Sequence, residues 1–338
     1  MEMKYITFFN GIAIFFIVFF HEVMLIPSLA LYPMWQFFAQ IGLALFTFSS
    51  GYKLVQNHQQ ELQDKIFLSK YYVKRFIRLY KPYIGYSALL YVPVIIYTII
   101  TLFYPSLEFP FISNFRNQLT FQGLLNFITG NNYLAPQLWY LISLIIITAI
   151  CFTVLYFFEL KSVYFLFFPV LFFYIVFLNT ANMGTASQAV RYLPDFIFGM
   201  FCGGLISSGR ESPSMPHGLN ILLLGFSCLF FICWGLTQVL VFIDLAGLTV
   251  APLVMLFSVK LVTIPIFDRI ITPWGSHSFH IYLFQMPFVL PVLNRIISPY
   301  FIDYYPGIIA IFIVIGTIYI CILGYTVTKL MRLNFFFE

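Results

Sequence analysis

Apolar segments long enough to cross a lipid bilayer follow one another along nearly the whole chain. We count ten of them, each of about 17 to 25 residues. They run approximately over 5–25, 33–55, 82–104, 138–158, 162–179, 190–208, 219–241, 246–266, 277–297 and 307–329. The sequence therefore predicts an all-α fold, a polytopic membrane helix bundle with about ten transmembrane helices.

The composition excludes a water-soluble protein. Of 338 residues, 61% are hydrophobic and only 9% are charged, whereas soluble domains have about 25% charged residues. A chain with so few charges cannot cover a surface that faces water. We expect a single membrane domain over 1–338, with the first apolar segment kept as an anchor because it lacks a small-residue cleavage site.

The basic residues indicate how the helices are oriented. The connection between the second and third spans carries seven Lys and Arg residues from Lys53 to Lys81, and connections of this kind face the cytoplasm. With ten spans, both termini are then cytoplasmic, and only Arg116, Arg191 and Arg295 fall toward the outside. The net charge of +5 is thus a topology signal and does not suggest nucleic acid as a partner.

The segment 62–81 is basic and amphipathic, so we expect it to lie along the inner leaflet or to feed straight into the third span. Arg75 and Arg78, three residues apart, share one helix face at the inner surface. Because the guanidinium fork suits phosphate oxygens, one interpretation is a site for a phosphorylated cytoplasmic donor such as a coenzyme A thioester. The alternative is a topology determinant that touches lipid phosphates.

His21 closes an almost wholly apolar stretch that begins at Tyr5. An imidazole there loses solvation unless it faces a cavity or a partner, and this indicates a functional site. Asn10 lies about three helical turns earlier, on the same face. His21 would act as a general base toward an acceptor hydroxyl. The alternative is an interfacial His that meets water, beside a Glu22 that is expected to face the aqueous boundary.

Three further features of the predicted spans concern ion pairing, helix packing and metal binding. Arg191 and Asp195, four residues apart in the sixth span, predict an ion pair near the outer interface that could also border an acceptor site. Gly199 and Gly203 form a GxxxG pattern that permits close helix packing. Two histidines of the ninth span are three residues apart, but no acidic residue or Cys is placed to complete a metal site, so no metal is expected.

Four stretches of the sequence, taken in order, carry a family resemblance. They are FFNGIAIFFIVFFHE in the first span, IGLALFTFSSGYKL in the second, the basic run KRFIRLYKPY, and WGSHSFHIYLFQMP in the ninth span. A Leu-Trp pair that ends in Trp139 precedes the fourth span. Together they resemble the acyltransferase 3 family of multi-pass membrane proteins over nearly the whole chain.

The resemblance implies a role for individual positions. His21 matches the family's His and would be catalytic, while Arg75 and Arg78 match its Arg-x-x-Arg before a Pro and would contact acyl-CoA, together with Asn10. The positions implied on the substrate side are Ser50, Trp139, Tyr282 and Gln285.

Three positions depart from the family's pattern. Asn10 stands where the family has an Arg, Ala44 where members often carry an Asp, and Gln285 where a His is common. These losses keep open a catalytically degenerate member that binds or exports a glycan without acylating it.

The activity implied by the resemblance is transfer of an acyl group, usually acetyl, from cytoplasmic acyl-CoA to a hydroxyl of a cell-surface carbohydrate or lipid-linked sugar. Acyl-CoA would be a co-substrate, with no permanently bound cofactor, and the protein would lie among the lipids of a bacterial-type plasma membrane. A saccharide exporter or flippase and a non-catalytic subunit of a glycan assembly complex stay as alternatives. A homo-oligomer is also left open.

Overall fold

A computed structural model describes residues 4–24, 36–104, 139–173, 185–206, 217–237 and 239–284, with isolated residues between 120 and 126 and between 315 and 326. These ranges are helical and contain no strand. The helices are α1 (Lys4–Met24), α2 (Gln36–His58), α3 (Lys65–Phe103), α4 (Trp139–Phe157), α5 (Leu160–Phe173), α6 (Thr185–Ile206), α7 (His217–Thr237), α8 (Leu240–Leu261), α9 (Pro265–Ser276) and α10 (Ser278–Phe284).

Four of these helices, α1, α4, α7 and α8, are long and apolar enough to cross a membrane. Helix α7 also exposes large apolar side chains along its length, among them Ile221, Leu224 and Leu236. Exposed apolar surface of this extent fits contact with lipid and not with water. The prediction of an all-α membrane protein is confirmed. The count of ten spans stays a prediction, and the predicted tenth span, 307–329, lies mostly outside the described residues.

Helices α2 and α6 run in the same direction and pack with their backbones in contact. A Cβ added at Gly199 would collide with the carbonyl oxygen of Phe48, and a Cβ added at Gly51 would collide with that of Phe196. Gly203 continues this contact one turn further along α6. The close packing predicted at Gly199 and Gly203 is therefore confirmed, and the partner helix is α2.

Helix α1 lies between α2 and α9. It runs antiparallel to α2, with the hydroxyls of Tyr5 and Tyr52 3.0 Å apart. It runs parallel to α9, with the rings of Phe15 and Trp274 stacked at 6.1 Å. A Cβ added at Gly11 of α1 would collide with the backbone of α9, and a Cβ added at Gly275 of α9 would collide with the backbone of α1. Only glycine therefore permits this close approach.

A helix begins in the chain before the predicted ninth span. The expected range was 277–297, but α9 starts at Pro265 and already lies along α1. Residues 265–276 form an amphipathic helix with polar residues such as Asp268 and Thr272. A search for continuous apolar segments therefore does not find this helix. Its packing against α1, and not its hydropathy, makes it part of the bundle.

Helix α3 is a single helix of 39 residues, about 58 Å long and nearly twice the thickness of a bilayer core. Asp64 caps its start by accepting a hydrogen bond from the backbone N–H of Ile66 at 2.8 Å. Its first turns lie beside the last turns of α4, with Lys65 over the ring of Tyr156. Of the two arrangements expected for 62–81, the structure has the one that feeds straight into the third span.

Candidate functional site

His21 lies in the last turn of α1 and is half-buried. Its Nδ1 atom is fully enclosed, and its ring lies 5.3 Å from that of Phe20. The neighbouring Glu22 is only 7% exposed and accepts a hydrogen bond from Thr317 at 3.4 Å. The expectation that Glu22 faces water is therefore wrong, because a residue from the C-terminal part of the chain covers that side of α1.

Asn10 faces α2 from the middle of α1. Its side-chain oxygen accepts a hydrogen bond from Ser49 at 2.8 Å, and Ser49 also donates to the backbone oxygen of Phe46. Ser50, the next residue, is half-buried. A neutral amide that accepts a hydrogen bond from a serine thus stands at the position where the sequence resemblance leads one to expect an Arg.

Ala44 lies at the contact between α2 and α8. It is buried, and a Cβ added at Gly247 would come within 3.0 Å of its methyl group. This separation is tighter than ordinary van der Waals contact, so the two helices meet at small residues. The methyl group of Ala44, where the sequence resemblance leads one to expect an Asp, thus takes part in the packing of α2 against α8.

The two arginines of the basic run differ in their surroundings. Arg75 is only 8% exposed, and its guanidinium lies over the ring of Phe196 at 5.8 Å. It interacts electrostatically with Tyr71 and Tyr140, and its Nε is buried without a hydrogen bond. Arg78 is exposed. Arg75 therefore does not lie at an open inner surface, as expected, but inside the bundle.

Four aromatic side chains meet between α4, α6 and α10, and we call them the aromatic cluster: Trp139, Tyr140, Tyr192 and Tyr282. The Tyr140 ring lies 5.9 Å from Tyr282 and 6.3 Å from Tyr192, and Trp139 lies 6.2 Å from Tyr192. The hydroxyl of Tyr140 is 2.9 Å from that of Thr47 on α2. Two positions implied on the substrate side, Trp139 and Tyr282, thus belong to one cluster, while Gln285 lies outside the described residues.

Arg191 does not pair with Asp195 as predicted. It donates from Nε and Nη2 to the two carboxylate oxygens of Asp244 on α8, at 2.7 and 2.5 Å. A carboxylate from a facing helix can meet both donors of the guanidinium fork, whereas a residue one turn away on the same helix is poorly placed to do so. Sequence reasoning missed Asp244, although a lone carboxylate within an apolar stretch was a signal for it.

Asp195 is left in the interior beside this pair. It is 3% exposed, and its Oδ1 is buried without a hydrogen bond. Electrostatic interactions connect it with Arg191, Asp244 and Tyr140. The region between α6 and α8 thus holds two carboxyl groups and one guanidinium.

The histidines of the ninth span take no part in a metal cluster within the part of the chain that the structure describes. The rings of His277 and His280 lie 6.5 Å apart. The Nδ1 of His277 lies 2.7 Å from the hydroxyl of Ser276.

The apolar helices and the polar groups enclosed between them define an integral membrane protein with a partly polar interior. A model of the acyltransferase domain matches residues 3–326, so the chain belongs to the acyltransferase 3 family. The resemblance seen in the sequence is thereby confirmed. Comparison with curated proteins and with solved structures gives no significant match.

Proposed function

We propose that the protein is a membrane O-acyltransferase that moves an acyl group, in the simplest case acetyl, from cytoplasmic acyl-CoA to a hydroxyl of a cell-surface carbohydrate or lipid-linked sugar. The family match over 3–326 is the observation that carries the reaction class. A bacterial-type plasma membrane is the location that fits this activity. The enclosed polar groups of the bundle support the assignment of residues.

His21 is the proposed general base. Its enclosed Nδ1 and its half-buried ring place an imidazole at the end of α1, away from bulk water. It would take the proton of the acceptor hydroxyl as that oxygen attacks the thioester carbonyl carbon. The carbon–sulfur bond then breaks, and the thiol of coenzyme A leaves with the proton returned by His21, so that an ester and free coenzyme A result.

Arg75 and Arg78 are the proposed donor contacts. Arg78 is exposed and can reach phosphate oxygens, while the buried Nε of Arg75 offers an unused donor three residues away on the same helix face. Asn10 is proposed to line the donor path from α1, as a neutral group in place of an Arg. Acceptor contacts are proposed for Ser50, Trp139, Tyr282 and Gln285.

The test is mass spectrometry of base-labile acyl groups on surface glycans, with cells that carry the wild type, a deletion, His21→Ala or His217→Ala. His217 is exposed at the start of α7 and serves as the matched control. We expect an ester that is lost in the deletion and in His21→Ala and kept in His217→Ala. In a separate experiment on purified protein, Arg75→Gln should weaken binding of acyl-CoA, whereas Lys260→Gln, at an exposed site, should not.

Full transfer by His21→Ala at equal expression would reject His21 as the base. An ester profile identical in all strains would favour the second candidate, a degenerate member that exports or binds a glycan. The observations in favour of that candidate are the amide at Asn10 and the tight contact of Ala44 with Gly247. Saccharide transport into proteoliposomes without an acyl donor would support it directly.

A further inference from the structure

Asp195 is a buried carboxyl group whose nearest guanidinium is already used. Arg191 gives two hydrogen bonds to Asp244, both side chains being buried. The Oδ1 of Asp195 is enclosed and receives none. An acceptor oxygen left unpaired in the interior costs about 1–3 kcal/mol or more, unless a donor reaches it. The position therefore fits a ligand that brings a hydrogen-bond donor.

The surroundings of Asp195 indicate the chemistry of that ligand. Tyr192 lies one turn earlier on α6, and Tyr140 interacts with Asp195 electrostatically. Both tyrosines belong to the aromatic cluster, in which aromatic rings and phenolic hydroxyl groups lie close to one another. Aromatic faces suit the apolar CH surface of a sugar ring, and a carboxylate oxygen accepts from sugar hydroxyls. Among the described residues of this region, two carboxyl groups face one guanidinium, which disfavours an anionic ligand.

The four rings of the aromatic cluster differ in how deeply they are buried. Trp139 is its least buried ring and stands at the first residue of α4, whereas Tyr140, Tyr192 and Tyr282 are fully buried. A sugar that stacks on Trp139 would place its hydroxyls toward the buried tyrosines and Asp195.

We propose that Asp195 and the aromatic cluster form the subsite that binds the acceptor, and that the acceptor is a neutral, polyhydroxylated saccharide. The role of this subsite in acyl transfer rests on the proposed acyltransferase function. The binding experiment that tests the subsite does not depend on that function. Asp195 accepts hydrogen bonds from sugar hydroxyls, and Trp139 stacks on a ring face. The subsite determines which hydroxyl group is presented for transfer.

The test measures binding of two neutral oligosaccharides, maltotriose and chitotriose, to the purified protein by calorimetry. Asp195→Asn keeps the shape of the side chain, and Asp268→Asn, at a surface ion pair, is the matched control. We expect the wild type and Asp268→Asn to bind at least one saccharide equally, and Asp195→Asn to bind it about tenfold more weakly or less. Binding of acyl-CoA should be the same in all three.

A second variant separates a loss of saccharide binding from a loss of folding. Trp139→Ala changes a partly exposed residue, and it should also weaken saccharide binding while the protein stays monodisperse. Equal saccharide affinity in the wild type and in Asp195→Asn would overturn the proposal, as would failure of the wild type to bind either saccharide. Binding of choline in place of saccharides would overturn it in favour of a cation site.

The two proposals fail in different ways. If Asp195→Asn loses saccharide binding but no form of the protein transfers an acyl group, the subsite stands and the acyltransferase function falls. If transfer occurs and Asp195→Asn leaves saccharide affinity unchanged, the function stands and the subsite falls.

Discussion

Two buried carboxyl groups, Asp195 on α6 and Asp244 on α8, differ in their hydrogen-bond partners. Asp244 receives both donors of the Arg191 fork, and Asp195, one turn after Arg191, does not. A buried pair with two aligned hydrogen bonds offsets the loss of solvation of both charges, whereas a single buried charge does not. The link between α6 and α8 therefore depends on Asp244.

We expect Asp244→Asn to destabilise the protein by about 3 kcal/mol or more, because the buried Arg191 would lose the carboxylate that accepts two of its hydrogen bonds. The measurement is thermal unfolding in detergent, followed by fluorescence-detected size exclusion. Replacing both members, with Arg191→Met and Asp244→Leu, should restore most of the stability. An unchanged unfolding temperature in Asp244→Asn would contradict the buried pair.

At the scale of elements, the contact between α2 and α6 is decided by glycines. Gly199 lies against the backbone of Phe48, and Gly51 lies against that of Phe196. Because the obstacle is backbone and not a flexible side chain, neither helix can yield to a methyl group without moving as a whole. This contact also holds α6, and with it Tyr192 and Asp195, at its distance from α2.

Gly199→Ala should therefore separate α2 from α6 and lower the yield of monodisperse protein several-fold. Gly225→Ala is the matched control, because a Cβ at this position on α7 meets nothing within 4 Å. There the substitution should be neutral or slightly stabilising, since Ala is the better helix former. Equal yields and unfolding temperatures for the two variants would argue against the close contact.

At the scale of the whole molecule, the first residue of α1 and the start of α9 lie together. Lys4 donates a hydrogen bond to Asp268 at 2.7 Å. That hydrogen bond, with a second from Thr272, holds the pKa of the Asp268 carboxyl below its usual range. Because the folded-state pKa is the lower one, the pair is complete at neutral pH and is lost as the pH falls through that pKa.

The predicted orientation puts both members of this pair on the cytoplasmic side. In a cysteine-free background, Lys4→Cys and Asp268→Cys should be labelled by an impermeant maleimide only after the inner face is made accessible. Labelling of one position from outside and the other from inside would reject the shared face.

Prediction from sequence was accurate where the signal lies in a continuous stretch. The helices, the close packing at Gly199 and the family membership of the chain were all predicted in this way. It was inaccurate for Arg191, because a polar side chain can pair with any of several facing helices. It also did not predict the helix at 265–276, because that segment is amphipathic and lies mostly between two predicted spans. Glu22 belongs to the same group, because the residue that covers it is almost 300 positions away.

By itself, the sequence determined that this chain is a helical membrane protein of the acyltransferase 3 family. Segment length, apolar content and the order of motifs are properties of the linear chain, and they need no knowledge of neighbours. Only the tertiary structure decided that Arg75 is buried, that Asp244 forms the ion pair with Arg191, and that Asp195 is buried beside that pair. Those outcomes depend on which helix faces meet, and helical periodicity specifies a face but not its partner.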